Sequence, residues 1–311
     1  MSSYCFGIDV GGPSVKCGLF KTDGTLVEKW EIPTRRENNG DKILPDVGDT
    51  INNKIKERNL DKKDIAGVGI GIPGPVNGKG EVERAVNLYW GFKAVSKEIE
   101  EYTGLPAKAG NDANVAALGE AWKGAAAGAQ NVILVTLGTG VGGGIIVDGK
   151  IVAGEHGAGG EIGHAMVLRG EKEKCNCGNH GCLEQYASAT GIVRVAGRKL
   201  AETDEDSVLR SLSNITAKDV LDAFKAGDKV AIDIMEYVGD LLGGALSGFA
   251  AVVDPEAIVI GGGVSKAGQP LIDCIQKYYR EYAFPSCKNT RMLIATLGND
   301  AGIYGAAKMV L

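Results

Sequence analysis

The chain has 311 residues, is 44% hydrophobic and 23% charged, and carries a formal net charge of −5. That length suits two domains or one large one. The acidic balance argues against a protein whose main partner is a phosphate backbone, and no apolar run reaches membrane-spanning length.

Glycine is the outlier at 47 residues, about twice average usage. It is spread over separate turns, which suggests loops that approach a ligand closely. Residues 1–3 are followed at once by the strand-like YCFGIDV, so no secretory signal is expected. Four of the seven cysteines, Cys5, Cys17, Cys274 and Cys287, are scattered. They read as reduced core residues of a cytoplasmic protein.

In chain order, residues 4–9 predict a strand ending in Asp9, and a Gly-Gly-Pro turn leads to a second strand over 15–21. Thr22-Asp23-Gly24 makes a hairpin turn to a third strand over 25–32. A polar helix follows over 41–58, a buried strand over 65–72, a turn-rich stretch to Asn87 and a helix near 93–103. A short strand at 106–109 ends in Asn111-Asp112, and a small-residue helix spans 112–127. The pattern then restarts. Residues 131–137 form a strand, Gly138-Thr139-Gly140 a turn, GGGIIV a strand, 148–150 a turn, and Ile151 opens a third strand. Helices are expected at 189–202, 216–226 and 229–253, the middle one with a Thr216-x-x-Asp219 capping box. A strand at 257–262, a helix at 268–282, a strand at 291–296 and a terminal helix complete the chain. Both halves thus read strand, Gly turn, strand, hairpin, strand, then helices and strands: an internal repeat of roughly 130 residues. Two such units facing each other would leave a cleft for a small ligand.

Three Gly turns could cradle phosphate: Asp9 to Lys16, 137–143 and Gly261-Gly262-Gly263. Each could equally be a tight turn and nothing more. The GxGxxG matches at 69–74 and 138–143 lack the following helix of a dinucleotide site. Asp9 is either a turn-stabilising residue or a metal ligand. Asp112 is either a helix N-cap or a general base.

Between Glu161 and Glu184 lie His164, Cys175, Cys177 and Cys182. Three sulfurs on one tight loop and one upstream imidazole read as a closed, structural Cys3His zinc site. The metal would pin Glu161, Glu184 and the free ring N–H of His164 into one small volume, an arrangement suited to a ligand with several hydroxyls. The plain alternative for both glutamates is solvated loop charge.

These motifs, with Asp9-x-Gly-Gly, Gly71-x-Pro73-Gly74, Gly110-Asn111-Asp112-x-Asn114 and Leu137-Gly-Thr-Gly-x-Gly-Gly, stand in an order that resembles the ROK-family sugar kinases across essentially the whole chain, above all the bacterial ROK glucokinases. The resemblance implies an actin-like (ribonuclease H-like) two-domain α/β ATPase fold, with 1–111 plus 300–311 as a small domain and 112–299 as a large one carrying the zinc loop 164–182. It implies ATP-dependent phosphorylation of the glucose 6-hydroxyl, with Asp112 as base. Asn87, Asn111, Glu161, His164 and Glu184 would bind sugar with Asp112. Gly11, Gly12, Ser14, Lys16, Gly138, Thr139, Gly140, Gly262 and Gly263 would bind ATP, and Asp9 would help hold Mg2+. A cytoplasmic homodimer is implied, with no nucleic-acid or membrane partner. One position departs from the family pattern. Pro13 stands where Thr is usual, removing a hydroxyl and an N–H that could meet phosphate, so weakened ATP binding is expected. Related ROK regulators carry an N-terminal helix-turn-helix, for which a first strand at Tyr4 leaves no room. A zinc-knuckle nucleic-acid binder would want more aromatics than 6%. N-acetylmannosamine kinase and other hexose kinases share nearly all the motifs.

Overall fold

A computed structural model describes residues 2–311. Two compact units form. The first runs through Gln130 and adds Gly144–Gly160 and Thr296–Leu311; the second is Asn131–Gly143 with Glu161–Ala295. Compactness therefore groups residues 112–130 with the first unit, whereas the sequence reading begins the second domain at 112.

The first sheet holds β1 (Tyr4–Val10), β2 (Ser14–Lys21), β3 (Leu26–Pro33), β4 (Ile65–Ile72) and β5 (Ala107–Asn111), in the order β3-β2-β1-β4-β5. β1 runs antiparallel to β2 and parallel to β4. The unit's helices before residue 130 are the four-residue α1 (Glu37–Gly40), α2 (Ile43–Glu57), α3 (Val95–Thr103) and α4 (Asp112–Lys123). Alternation along β1 serves two cores, because successive side chains leave opposite faces. Phe6, Ile8 and Val10 belong to a cluster with Val47 and Ile51 of α2 and Ile99 of α3. Cys5 joins Phe20, Ile303 and Ala307 in a second cluster.

The second sheet holds β6 (Val132–Leu137), β7 (Val141–Val147), β8 (Lys150–Ile151), β9 (Ala257–Gly261) and β10 (Arg291–Ile294), in the order β10-β9-β6-β7-β8. Matched strand for strand and read from the other end, this is the order of the first sheet, so the internal repeat extends to topology. The third strand of the second half is only two residues long. The remaining helices are α5 (Glu184–Ala187), α6 (Ala189–Glu202), α7 (Ala217–Lys225), α8 (Lys229–Val253), α9 (Gln269–Tyr282) and α10 (Ala301–Met309). The capping box at α7 forms, each of Thr216 and Asp219 accepting from the other's backbone N–H.

α10 returns to the first unit and lies directly on its sheet. A Cβ on Gly7 would stand 2.0 Å from the Ile303 carbonyl oxygen, and one on Gly69 1.7 Å from that of Ala306. The chain's re-entry is held by the buried Glu120 of α4. Its carboxylate accepts from the N–H groups of Thr296 (3.1 Å), Leu297 (2.8 Å) and Ala125 (2.7 Å). Cys5, Cys17, Cys274 and Cys287 are buried free thiols, and burial pushes the first three up to about 12. Among the described residues no helix is long and apolar enough to cross a membrane.

Candidate active site

In the first unit, polar residues gather where β1, β4 and β5 end. Asp9 sits opposite Lys16 across the β1–β2 hairpin and beside Gly71 of β4. The start of α10 packs on it, since a Cβ on Gly302 would lie 2.6 Å from its Cγ. Burial raises the Asp9 pKa, and the Lys16 charge opposes that rise. Lys16 Nζ donates to the Asn299 carbonyl at 3.1 Å. The turn between the strands is tight: Gly11 N–H donates to Ser14 O (3.0 Å). Thr34 braces it, its hydroxyl donating to Gly11 O at 2.7 Å and its N–H to Pro13 O at 3.2 Å. The Ser14 hydroxyl is already engaged, donating to Glu31 at 2.8 Å.

The N-cap of α4 is Asn111, not Asp112. Asn111 has extended backbone angles, and its Oδ1 accepts from Asn114 N at 3.1 Å while its Nδ2 donates to Gly74 O at 3.1 Å. Asp112 is thereby released from capping and stands in the first turn, one oxygen accepting from Ala113 N at 2.8 Å. Asn87 is exposed in a helical turn that ends at the left-handed Tyr89. Asn114 is buried and spans two segments, donating to Gly159 O (2.8 Å) and accepting from Ile145 N (3.3 Å). It is a positioning residue that the motif contained but the sequence reading gave no role.

In the second unit the Cys3His cluster assembles. Ligand atoms of His164, Cys175, Cys177 and Cys182 all lie within 4.8 Å of one another. His164 Nδ1 is 3.7 Å from Cys175 Sγ, and Cys177 Sγ is 3.7 Å from Cys182 Sγ. A tetrahedral zinc with ordinary Zn–S and Zn–N bonds has ligand–ligand edges of about 3.5–3.8 Å, so these residues fit that ion. Burial pushes the Cys182 thiol up to about 12, while the Asn179 backbone N–H lowers that of Cys177. Gly181 is required here: its φ is +71°, and a Cβ would meet Leu168 O at 1.9 Å. The loop is also clamped by side chains. Gln185 joins Cys182 N to Glu173 O, and Glu171 takes hydrogen bonds from Arg198 and Tyr186. Those bonds, from Arg198 first, hold the Glu171 carboxyl well below the usual range.

His164 turns Nδ1 to the sulfurs and Nε2 towards Glu161, 4.0 Å from its carboxylate. Glu161 is exposed. Glu184 opens α5 and is partly committed to the fold: Oε2 accepts from Val141 N at 3.0 Å, and Oε1 lies 3.9 Å from Cys175 Sγ. The same carboxylate covers Gly140, where a Cβ would stand 2.3 Å from Oε2. The Gly138–Gly140 turn is thus joined directly to the cysteine loop. Gly262, with φ +83°, passes so close that a Cβ would be 2.4 Å from Leu137 O, while Gly263 faces open space. No α-helix follows the 138–143 turn, since β7 starts at Val141.

The ROK family profile matches residues 5–311. A glucokinase of Halalkalibacterium halodurans is 43% identical over 309 residues, which cover 98% of this chain and 94% of that protein. The ROK hexokinase of Thermus thermophilus superposes with a TM-score of 0.82 at 30% identity, covering 98% of this chain and 96% of its own. A ROK family glucokinase from Streptomyces griseus, solved in complex with glucose and AMPPNP, gives 0.72 at 33% identity with 98% of each chain covered. The paired five-stranded sheets are the two-domain, actin-like ATPase fold of these enzymes. With the profile spanning all but the first four residues and the fold matching from end to end, this protein belongs to the ROK family.

Proposed function

We propose that this protein is an ATP-dependent glucokinase, transferring the γ-phosphoryl group of ATP to the 6-hydroxyl of glucose. The observation that carries the reading is the near-complete match, at 43% identity, to a glucokinase. In this reading Asp112 accepts the proton of the attacking hydroxyl. Phosphoryl transfer asks little covalent work of the protein, so positioning and charge stabilisation dominate. Asn87, Asn111, Glu161, His164 and Glu184 bind the sugar. The exposed carboxylate of Glu161 beside the outer ring nitrogen of His164 supports this, since an acceptor next to a donor suits vicinal hydroxyls. Gly11, Gly12, Lys16, Gly138, Thr139, Gly140, Gly262 and Gly263 face ATP. Ser14, tied to Glu31, contributes only if it exchanges that partner for phosphate.

Zinc held by His164, Cys175, Cys177 and Cys182 would supply rigidity alone, because four protein ligands close its shell. Asp9 would hold Mg2+, directly or through water, and its buried carboxylate suits a cationic neighbour. The functional lobes are 1–111 with 300–311, and 112–299 with the loop 164–182. A cytoplasmic homodimer completes the proposal.

The test is ADP release from magnesium ATP with glucose, N-acetylmannosamine, mannose, fructose or no sugar. Strong preference for glucose is expected. Preference for N-acetylmannosamine would move the substrate and keep the chemistry, and no sugar-dependent turnover would overturn the enzyme reading.

A further inference from the structure

The turn at Gly138–Gly140 is held from one side by the residues that follow the cysteine loop. Ala189 N–H donates to Gly138 O at 2.8 Å, and the Thr190 hydroxyl donates to Thr139 O at 2.9 Å. A trans peptide sets its carbonyl and the next N–H in opposite directions. Tying down the carbonyls of 138 and 139 therefore turns the N–H groups of Thr139 and Gly140 the other way. Among the described residues neither N–H has a hydrogen-bond partner; the turn's own bond runs from Gly138 N to Gly140 O. Two adjacent, outward, unpaired N–H groups make an anion-binding nest.

The anchor is itself locked. Each hydroxyl has one proton. Ser188 gives its proton to Glu184 O (2.7 Å) and accepts from Gly191 N (2.9 Å), which closes the N-cap of α6. Thr190 Oγ1 lies within reach of both Thr139 O (2.9 Å) and Ser188 Oγ (3.0 Å), and it is placed to give its proton to the turn. Residues 182–190 thus form one continuous piece, with Cys182 in the cysteine cluster at one end, Glu184 on Val141 in the middle and Thr190 on the turn at the other.

We propose that Thr190 is a positioning residue that aims the Gly140 N–H at a nucleotide phosphate. Through residues 182–190 the same link makes the shape of that nest depend on the cysteine loop. The proposal rests on the kinase reading for the identity of the anion, not for the geometry of the nest.

The test is Thr190→Val, which keeps the shape and removes the donor, with Thr190→Ser as rescue. AMPPNP affinity by calorimetry needs no sugar and no turnover. We expect Thr190→Val to weaken AMPPNP and raise KM for ATP about five- to tenfold, the effect of one misdirected charge-assisted hydrogen bond. KM for glucose should stay within about twofold, and Thr190→Ser should restore ATP binding. Stripping the zinc with a chelator and then restoring Mg2+ in excess should weaken AMPPNP by a similar factor. Unchanged AMPPNP affinity in Thr190→Val would overturn the proposal, as would equal losses for both substrates that follow a fall in Tm. Wild-type protein that binds AMPPNP yet phosphorylates no sugar would sink the glucokinase reading and leave the nest standing.

Discussion

The two halves of the molecule build the same turn with different donors. Each joins the first two strands of a sheet of the same order, and in each a threonine hydroxyl from outside the hairpin ties a turn carbonyl: Thr34 to Gly11 at 2.7 Å, Thr190 to Thr139 at 2.9 Å. In the second half this leaves two outward N–H groups. In the first, tying Gly11 turns out the N–H of Gly12, and the residue after it, Pro13, has none to add. Repetition of topology therefore preserved the brace and not the number of donors. The second turn is also fused to the cysteine loop through Glu184, whereas the first leans on β3 through Ser14 and Glu31.

The largest expected effect lies outside both turns and calibrates them. Asp112→Asn should lower kcat about 10²–10⁴-fold, the usual worth of a general base, with AMPPNP affinity unchanged; a smaller loss would return Asp112 to a structural role. Next comes a direct contrast of glycines. Gly262→Ala meets both a left-handed φ and the Leu137 carbonyl, and should cost about 3 kcal/mol, seen as a fall in Tm. Gly12→Ala has nothing within 4 Å, and should change stability by less than about 0.5 kcal/mol. Equal effects would mean that the close approach of Gly262 to Leu137, the residue before the second turn, constrains the fold no more than the open space at Gly12. Pro13→Thr should lower KM for ATP about two- to fivefold by restoring a donor; an unchanged value would show that the first turn gives phosphate nothing at that position.

The smallest effect concerns Asp9. Its folded pKa is raised by burial, so its charged form costs stability once pH exceeds that raised value and costs nothing below the ordinary carboxylate range. Asp9→Asn should therefore melt slightly higher than wild type near neutral pH without Mg2+. The difference should shrink to nothing as pH falls below about 4. A lower Tm for the variant at neutral pH would mean that attraction to Lys16 outweighs desolvation.

Much of this was legible from residue pattern. The alternating runs, the hairpin residues at 22–24 and the Thr216 capping box marked elements the fold contains, because each depends on local periodicity or turn chemistry. The Cys3His set was legible because few arrangements bring three sulfurs within eight residues. What escaped were long-range hydrogen bonds made by ordinary residues. Thr34, Asn114, Glu120 and Thr190 carry no signal in their neighbourhood for these bonds, which reach from 23 residues (Thr34 to Gly11) to 177 (Glu120 to Leu297) along the chain. Asp112, which the sequence leaves open as N-cap or general base, yields the cap to Asn111, because either type caps well and only the backbone angles decide.

The return of α10 to the first sheet bears on how the chain is born. Gly7 and Gly69 are bare so that the backbone of residues 303–306 can lie on them, and Glu120 keeps a buried carboxylate for Thr296 and Leu297. All these partners leave the ribosome only after the whole second unit has been made. The first half to be translated is thus the last to close. A nascent chain stalled before residue 296 should present protease-sensitive residues 1–130 beside an already resistant 161–295, and resistance of both would show that the early half closes without its late helix.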